Sequence, residues 1–552
     1  MDPDSEPLSY RWLSGDPRLH IDSTFGGPVE QRWRFMDNGT FTVSVIVRDT
    51  SGASDTASMV VTVNNVAPWF MNFATPSWQA VGAVGLTRLE VSDSGSLDTV
   101  TVTVDWGDGS HDTRTVDRDR ENQLLHTYVA TGSYAVRATI RDKDGGTAYR
   151  SSAEAVGVFD PTRRLTIGGY EAVDLGTLGG NSARPMDFND YGQVVGSSTT
   201  ASGLTHAFSW KNGVMQDLAV AGYVGSEAQQ VNNGGVIAGV LSPDGVMDCD
   251  HESVPTIWKN GVAQILARSQ GMSAYLVASA INENDDLAWT DCTHESSTTW
   301  RWRGGQWQRL GGLAEPWAWS HGTAIDERGD IVGAQAVVQC GDSPTPLPHA
   351  FAWEVDTTRD LGLLSFKPCD LYPDRPSGYS AALGINERGQ IVGLSTAADG
   401  SLHAVLWDHG EIRDILSTSA GDDGGSRVVI NDAGQVAGSL RGNGFFWSGG
   451  TVHLLGSLGT GDTRVVDMND AGAVVGTSRT PAGEQHVFVW TEAGGMVDLG
   501  TGPDGFTGAW AVGISYNGDI VGFTGPCVSW SPPMSCWSSD DVRTIMWRRL
   551  TP

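Results

Sequence analysis

The chain has 552 residues, 71 of them glycine and 21 tryptophan, and its 39% hydrophobic content is enough to build cores in several domains. Sixty-five acids face 35 bases, and the net charge of −30 argues against nucleic-acid or anionic-membrane binding, because a phosphate field would repel the chain. No apolar run reaches the ~18 residues that a membrane-spanning helix needs.

Residues 1–12, MDPDSEPLSYRW, have neither the basic n-region nor the apolar h-region of a signal peptide. Short alternating or β-branched runs follow, such as TFTVSVIV, TVTVTVDW and HAFSW. Gly, Asn and Asp turns separate them, and long amphipathic helical patterns are missing. This is the pattern of all-β sandwiches and propellers.

Residues 100–147 contain Asp105-Trp-Gly-Asp-Gly-Ser110, then His126-Thr-Tyr128 and Gly132-Ser-Tyr134. On these motifs, residues 67–160 resemble a PKD (polycystic kidney disease) domain, which implies an immunoglobulin-like sandwich. Residues 1–66 end on Gly39-Thr-Phe-Thr-Val and Val61-Thr-Val-Asn-Asn-Val-Ala-Pro68, the tail of a similar domain. They lack the Trp-Gly-Asp-Gly turn and are short for a sandwich of ~100 residues. The expectation is a partial domain, with the chain beginning inside it and an export signal upstream. Asp2, Asp4, Glu6 and Asp49 offer oxygen ligands that would suit Ca²⁺; a solvated role is the simpler reading, and no cofactor is expected.

From about residue 165 one phrase recurs: hydrophobic-Asn-[Asp/Glu/Asn]-x-Gly-x-[Val/Ile]-[Val/Ala]-Gly. Its anchors are Asn189, Asn232, Asn282, Asp326, Asn386, Asn431, Asn469 and Ser515, spaced by 43, 50, 44, 60, 45, 38 and 46 residues. Each anchor precedes a strand ending in Trp (Trp210, Trp258, Trp302, Trp353, Trp407, Trp447, Trp490 and Trp547) and follows a short strand with Asp-Leu or a similar pair. A period of 40–50 residues with four strands is a propeller blade. Residues 161–552 are therefore expected to form eight blades, or seven if the third unit, Asn284-Asp-Asp-Leu-Ala-Trp289, has degenerated. The small-residue strand before each anchor should lie innermost. Residues 170–176 should then pair beside strand 543–547 as a circular clasp. The repeat resembles the HAF family of bacterial extracellular repeats, carried by YEAVDLGTLGG, NDYGQVVGSS and HAFSW within 170–210. The resemblance implies an exported, propeller-like protein and no established chemistry.

The six cysteines all fall in loops of one propeller face, and nearest-neighbour pairing gives Cys249–Cys292, Cys340–Cys369 and Cys527–Cys536. Cys249, His251, Cys292 and His294 could instead hold Zn²⁺. Neither His-Glu pair extends to H-E-x-x-H. His206, His349, His403 and His486 recur at equivalent positions, which argues for structure. Tyr275, Trp319 and Tyr379 stand seven residues before their anchors in three consecutive units, with Trp317 and Trp510 in the same loop region. Rings on one face suit sugar stacking; their alternative role is to plug the propeller mouth. No nucleophile elbow, P-loop or dinucleotide fingerprint appears. The reading is a non-catalytic exported or cell-surface protein, monomeric, binding glycan or an extracellular protein, with PKD modules as spacers. The alternatives are a secreted glycosidase or lyase and a structural matrix component.

Overall fold

The computed structural model describes residues 7–14, 35, 37–75, 78–82, 84–95, 98–130, 132–152, 155–159, 165–249, 251–292, 297–311, 319–338, 347–354, 357–365, 367–368, 376–418, 426–459, 461–503, 508–525 and 542–550. They form an all-β protein in two compact units, Met1–Val158 and Phe159–Pro552.

In the first unit, strands Ser9–Ser14, Gly39–Arg48 and Ser54–Val63 make one antiparallel sheet. A sandwich follows. Its main sheets are Trp69–Ala74, Gly85–Ser92 and Glu121–His126 on one side, and Thr147–Ser151, Arg137–Asp142, Val100–Asp105 and His111–Val116 on the other. Alternation drives it: Val100, Val102 and Val104 point inward beside Ile140, Leu89 and Trp106, while their threonine neighbours point out. Trp106 is buried. Its indole N–H donates to Asp112 at 2.9 Å, its ring stacks on His126, and its carbonyl accepts from the Tyr128 hydroxyl.

The second unit is a ring of eight antiparallel sheets, seven of four strands and one of five, in which Leu165–Ile167 and Tyr170–Asp174 join the last three strands. Blades 1 to 7 cover residues 179–217, 225–265, 275–309, 320–360, 380–418, 427–454 and 463–498; blade 8 covers 509–549. The strand before each anchor is innermost, and each innermost strand touches the next, with Ala509–Ile514 returning to Gly179–Phe188. The third unit forms a complete blade, so the count is eight. Tyr170–Asp174 pairs with Arg543–Arg549 (Ala172 opposite Trp547), which is the expected clasp. Asp174 and Arg543 form a bidentate pair beneath it, with side chains 1% and 3% exposed.

Eight of the propeller's core clusters among the described residues bridge two blades, and a smaller one, Trp510, Phe523 and Val542, lies within blade 8. Phe208 and Trp210 of blade 1 pack with Val521 and Met546 of blade 8, and Val195 and Ala207 pack with Ala228 and Trp258 of blade 2. The Leu of each Asp-Leu pair plugs the same gap: the carbonyls of Leu218 and Leu499 accept the indole N–H of Trp258 and Trp547 in the next blade. Seven inner strands carry a β-bulge just before the anchor. The bulged strand crosses so close to its neighbour that a Cβ on the repeated glycine would collide with the inner-strand carbonyl, as at Gly196, Gly239, Gly393 and Gly476.

Candidate ligand-binding channel and loop face

Two hydrogen-bond belts use up the repeated residues on the short-turn face. Each asparagine anchor's Oδ1 accepts backbone N–H groups of its own turn, as Asn189 does from Tyr191 and Gln193. Its Nδ2 donates to the next anchor's carbonyl: Asn189 to Asn232, Asn232 to Asn282, Asn282 to Asp326, Asn386 to Asn431, Asn431 to Asn469 and Asn469 to Ser515, at 2.9–3.1 Å. The next residue makes a second belt. Its backbone N–H donates to the side-chain oxygen of its counterpart one blade on, from Asp190 to Asn233, Glu283, Glu327, Glu387, Asp432 and Asp470. Tyr516 N–H closes it onto Asp190 at 2.7 Å. Six carboxylates thus ring this mouth. The sequence phrase carried the acidic position, but not its role.

The recurrent histidines are structural too. His206, His349, His403 and His486 place Nδ1 within 2.9–3.0 Å of Asp217, Asp360, Asp414 and Asp498 on the adjoining outer strand. The hydrogen bond that the His486 ring donates to Asp498 holds His486 above the ordinary histidine range, against burial.

The loop face differs. Cys249 is disulfide-bonded, so it has no thiolate for zinc, which removes the zinc alternative. The side chain of Cys292, with His294, Cys340, Cys369, Cys527 and Cys536, lies outside the described residues, and so does Trp317. Tyr275 and Trp510 are buried, Trp510 stacked on Phe523, so neither offers a free ring face. Burial, with the Glu227 charge behind it, pushes the Tyr275 hydroxyl up. Trp319 and Tyr379 are half-buried at the start of neighbouring inner strands. Their carbonyls accept from Ala336 and Thr396, fixing them at one height on their blades.

One residue per inner strand sits opposite the position after the repeated glycine. These are Arg184, Glu227, Val277, His321, Ala381, Arg427, Arg464 and Trp510, a single level of the ring. Below them, the Asp187 carboxylate accepts Val231 N–H at 2.7 Å and the Asp467 carboxylate accepts Ile514 N–H at 3.0 Å, each tying its blade to the next. Burial, reinforced by Asp467, pushes Asp187 up to about 7 despite the Val231 bond. Its proton is therefore held more tightly in the folded chain than at the ordinary ~3.9 of an unfolded aspartate. The stability it contributes is full below that value and is lost as pH rises through about 7. Asp187→Asn keeps the acceptor without the charge. It should raise the melting temperature by a few degrees at pH 8.5 and change it little at pH 5; thermal melts at both pH values check this.

In the first unit, Asp2, Asp4 and Glu6 lie outside the described residues. The Asp49 carboxylate closes its own turn, accepting from Ser51 and Ala53. The acids that converge are others. Carboxylate oxygens of Asp93, Asp98 and Asp142 lie within 4.8 Å of one another, as do those of Asp37, Asp98 and Asp144. Asn65 donates to Asp142 at 2.8 Å. Lys143 Nζ reaches Asp37 at 2.7 Å and Asp98 at 2.6 Å, so one internal cation already serves the second group. Burial, with Asp98 and Asp142 nearby, raises Asp93. The Asp93, Asp98 and Asp142 oxygens are the ones suited to a hard divalent cation. Sequence spacing did not show them, because separate loops bring them together.

Residues 65–156 match the PKD domain family. No curated protein matches the chain. Among solved structures, the chain is similar to the PKD domain of an M14-like peptidase from Thermoplasmatales archaeon SCGC AB-540-F20, at 22% identity over 17% of this chain and 98% of that one, TM-score 0.15. It is also similar to YCF48 bound to D1 peptide, at 12% identity over 71% and 97%, TM-score 0.31. A third is the fucose-specific lectin from Aleuria aurantia, at 11% identity over 49% and 92%, TM-score 0.27. Among the described residues no helix is long and apolar enough to cross a membrane.

Proposed function

We propose that the chain is a non-catalytic, exported or cell-surface glycan-binding protein, in which HAF-type repeats form the recognition head and the PKD module is a spacer. The observation that supports this is the contrast between the two propeller faces. On the short-turn face the repeated polar groups are committed to inter-blade belts, whereas the other face carries loops of varied length and the half-buried residues Trp319 and Tyr379, the second packed against the core between blades 5 and 6. Variable loops on a rigid scaffold are the usual place for recognition, and a partly exposed aromatic ring offers an apolar face to sugar C–H groups. The wall acids Asp187 and Asp467 turn to backbone N–H groups, which favours binding over acid–base chemistry. Trp319→Ala should weaken glycan binding by roughly threefold to tenfold with an unchanged melting temperature, whereas Tyr379→Ala should also lower the melt, because that ring packs against the core between blades 5 and 6. A glycan array on the full chain, followed by titration calorimetry and a reducing-sugar assay, checks this. A lowered melt of Trp319→Ala with no ligand found would make that ring a plug, and released sugar would make the protein an enzyme.

A further inference from the structure

Inner strands of an eight-bladed ring have neighbours on both sides, so a side chain exposed from one can reach only the channel's water. Arg427 and His321 are exposed there, and among the described residues neither makes a side-chain hydrogen bond or ion pair. Arg464 stands at the same level on the blade next to Arg427, with its Nε on Asp462 at 3.4 Å, and the residue between His321 and Arg427 is the small Ala381. Arg427 keeps contact with water, but the strands around it limit that solvation and lower its pKa, so an anion there would add to an incomplete hydration shell.

We infer that the channel binds the carboxylate of an acidic sugar, a uronic-acid residue of a glycan, with Arg427 and Arg464 as the anion clamp and His321 as a neutral partner. This rests on the glycan-binding reading and narrows it. A guanidinium fork matches a carboxylate in two-point geometry. Burial disfavours the charged form of His321, so the ring adds a hydrogen-bonding group there rather than a further charge. Trp319 lies two residues before His321, on the loop-face side. Residues two apart share one side of a strand, so its ring stands above His321, whereas Tyr379 packs against the core between blades 5 and 6. The six carboxylates at the opposite mouth repel an anion, so the ligand enters from the loop face.

The test is calorimetric titration of the full chain with galacturonate, glucuronate and mannuronate oligosaccharides and with their carboxyl-reduced neutral counterparts. One of the acidic series should bind at least tenfold more tightly than its neutral form. Arg427→Gln should abolish that preference without moving the melt, Arg427→Lys should restore part of it, and Trp319→Ala should weaken both forms. Binding of neutral and acidic forms alike, or an Arg427→Gln variant that keeps the preference, overturns the clamp while leaving glycan binding intact. Binding of no glycan at all overturns both readings.

Discussion

Replacing Asp174 with alanine is expected to cost about 3–5 kcal/mol of stability and to lower the melting temperature of the whole ring. The carboxylate is buried, accepts two guanidinium hydrogen bonds from Arg543 at 3.1 Å, and caps Gly176 N–H at 2.8 Å. Without it, Arg543 remains buried and loses its bidentate carboxylate at the one sheet that joins the first and last strands of the propeller. Charge removal is separable from packing loss. The double variant Asp174→Leu with Arg543→Met should recover much of the deficit, since an apolar pair of similar volume can replace a buried ion pair. A single variant that loses less than ~1 kcal/mol, the ceiling for a surface pair, would show that the clasp is solvated and does not hold the ring.

Gly476→Val is expected to be nearly as damaging, at about 1–3 kcal/mol or more, the range for overpacking. Its Cβ would meet the Arg464 carbonyl and the Phe488 ring. Neither can retreat easily: the carbonyl belongs to the bulged inner strand, and Phe488 fills the gap between blades 6 and 7. Gly311→Ala, where the added carbon meets nothing closer than 3.8 Å, is the control and should stay within ~0.5 kcal/mol of the parent. Denaturant midpoints of the two variants decide it, and equal midpoints would mean that the repeated glycine has another cause.

The blade count and the clasp were legible because each blade repeats the same local pattern and the closing strand follows from which strand is innermost. The belts were not. Asn232 donates to a carbonyl 50 residues away, and nothing in one repeat records its neighbour. The His–Asp pairs were half legible: His206 and Asp217, His349 and Asp360, and His403 and Asp414 are all 11 residues apart, a constant offset that one hairpin explains. Aromatic type alone did not tell exposure. Tyr275 and Trp319 hold equivalent positions, yet the first is buried and the second only half-buried. The channel arginines went unnoticed because each is a lone residue in its own repeat and becomes a group only when eight strands are set side by side.

The clasp also dictates the order in which the molecule can be made. Residues 170–174 emerge among the first of the propeller, and their partners at 545–549 among the last. During synthesis the first seven blades can stack as an open arc, but the belt link from Tyr516 to Asp190 and the Asp174–Arg543 pair must wait for the final blade. Until then, strand Tyr170–Asp174 has an unsatisfied edge, and the blade 1 face that will receive Val521 and Met546 stays bare. Closure over such a sequence separation is slow, and an open arc of this kind is the species that can accept the edge of a second chain. Refolding yield should therefore fall with protein concentration more steeply than the finished, edge-paired ring would suggest.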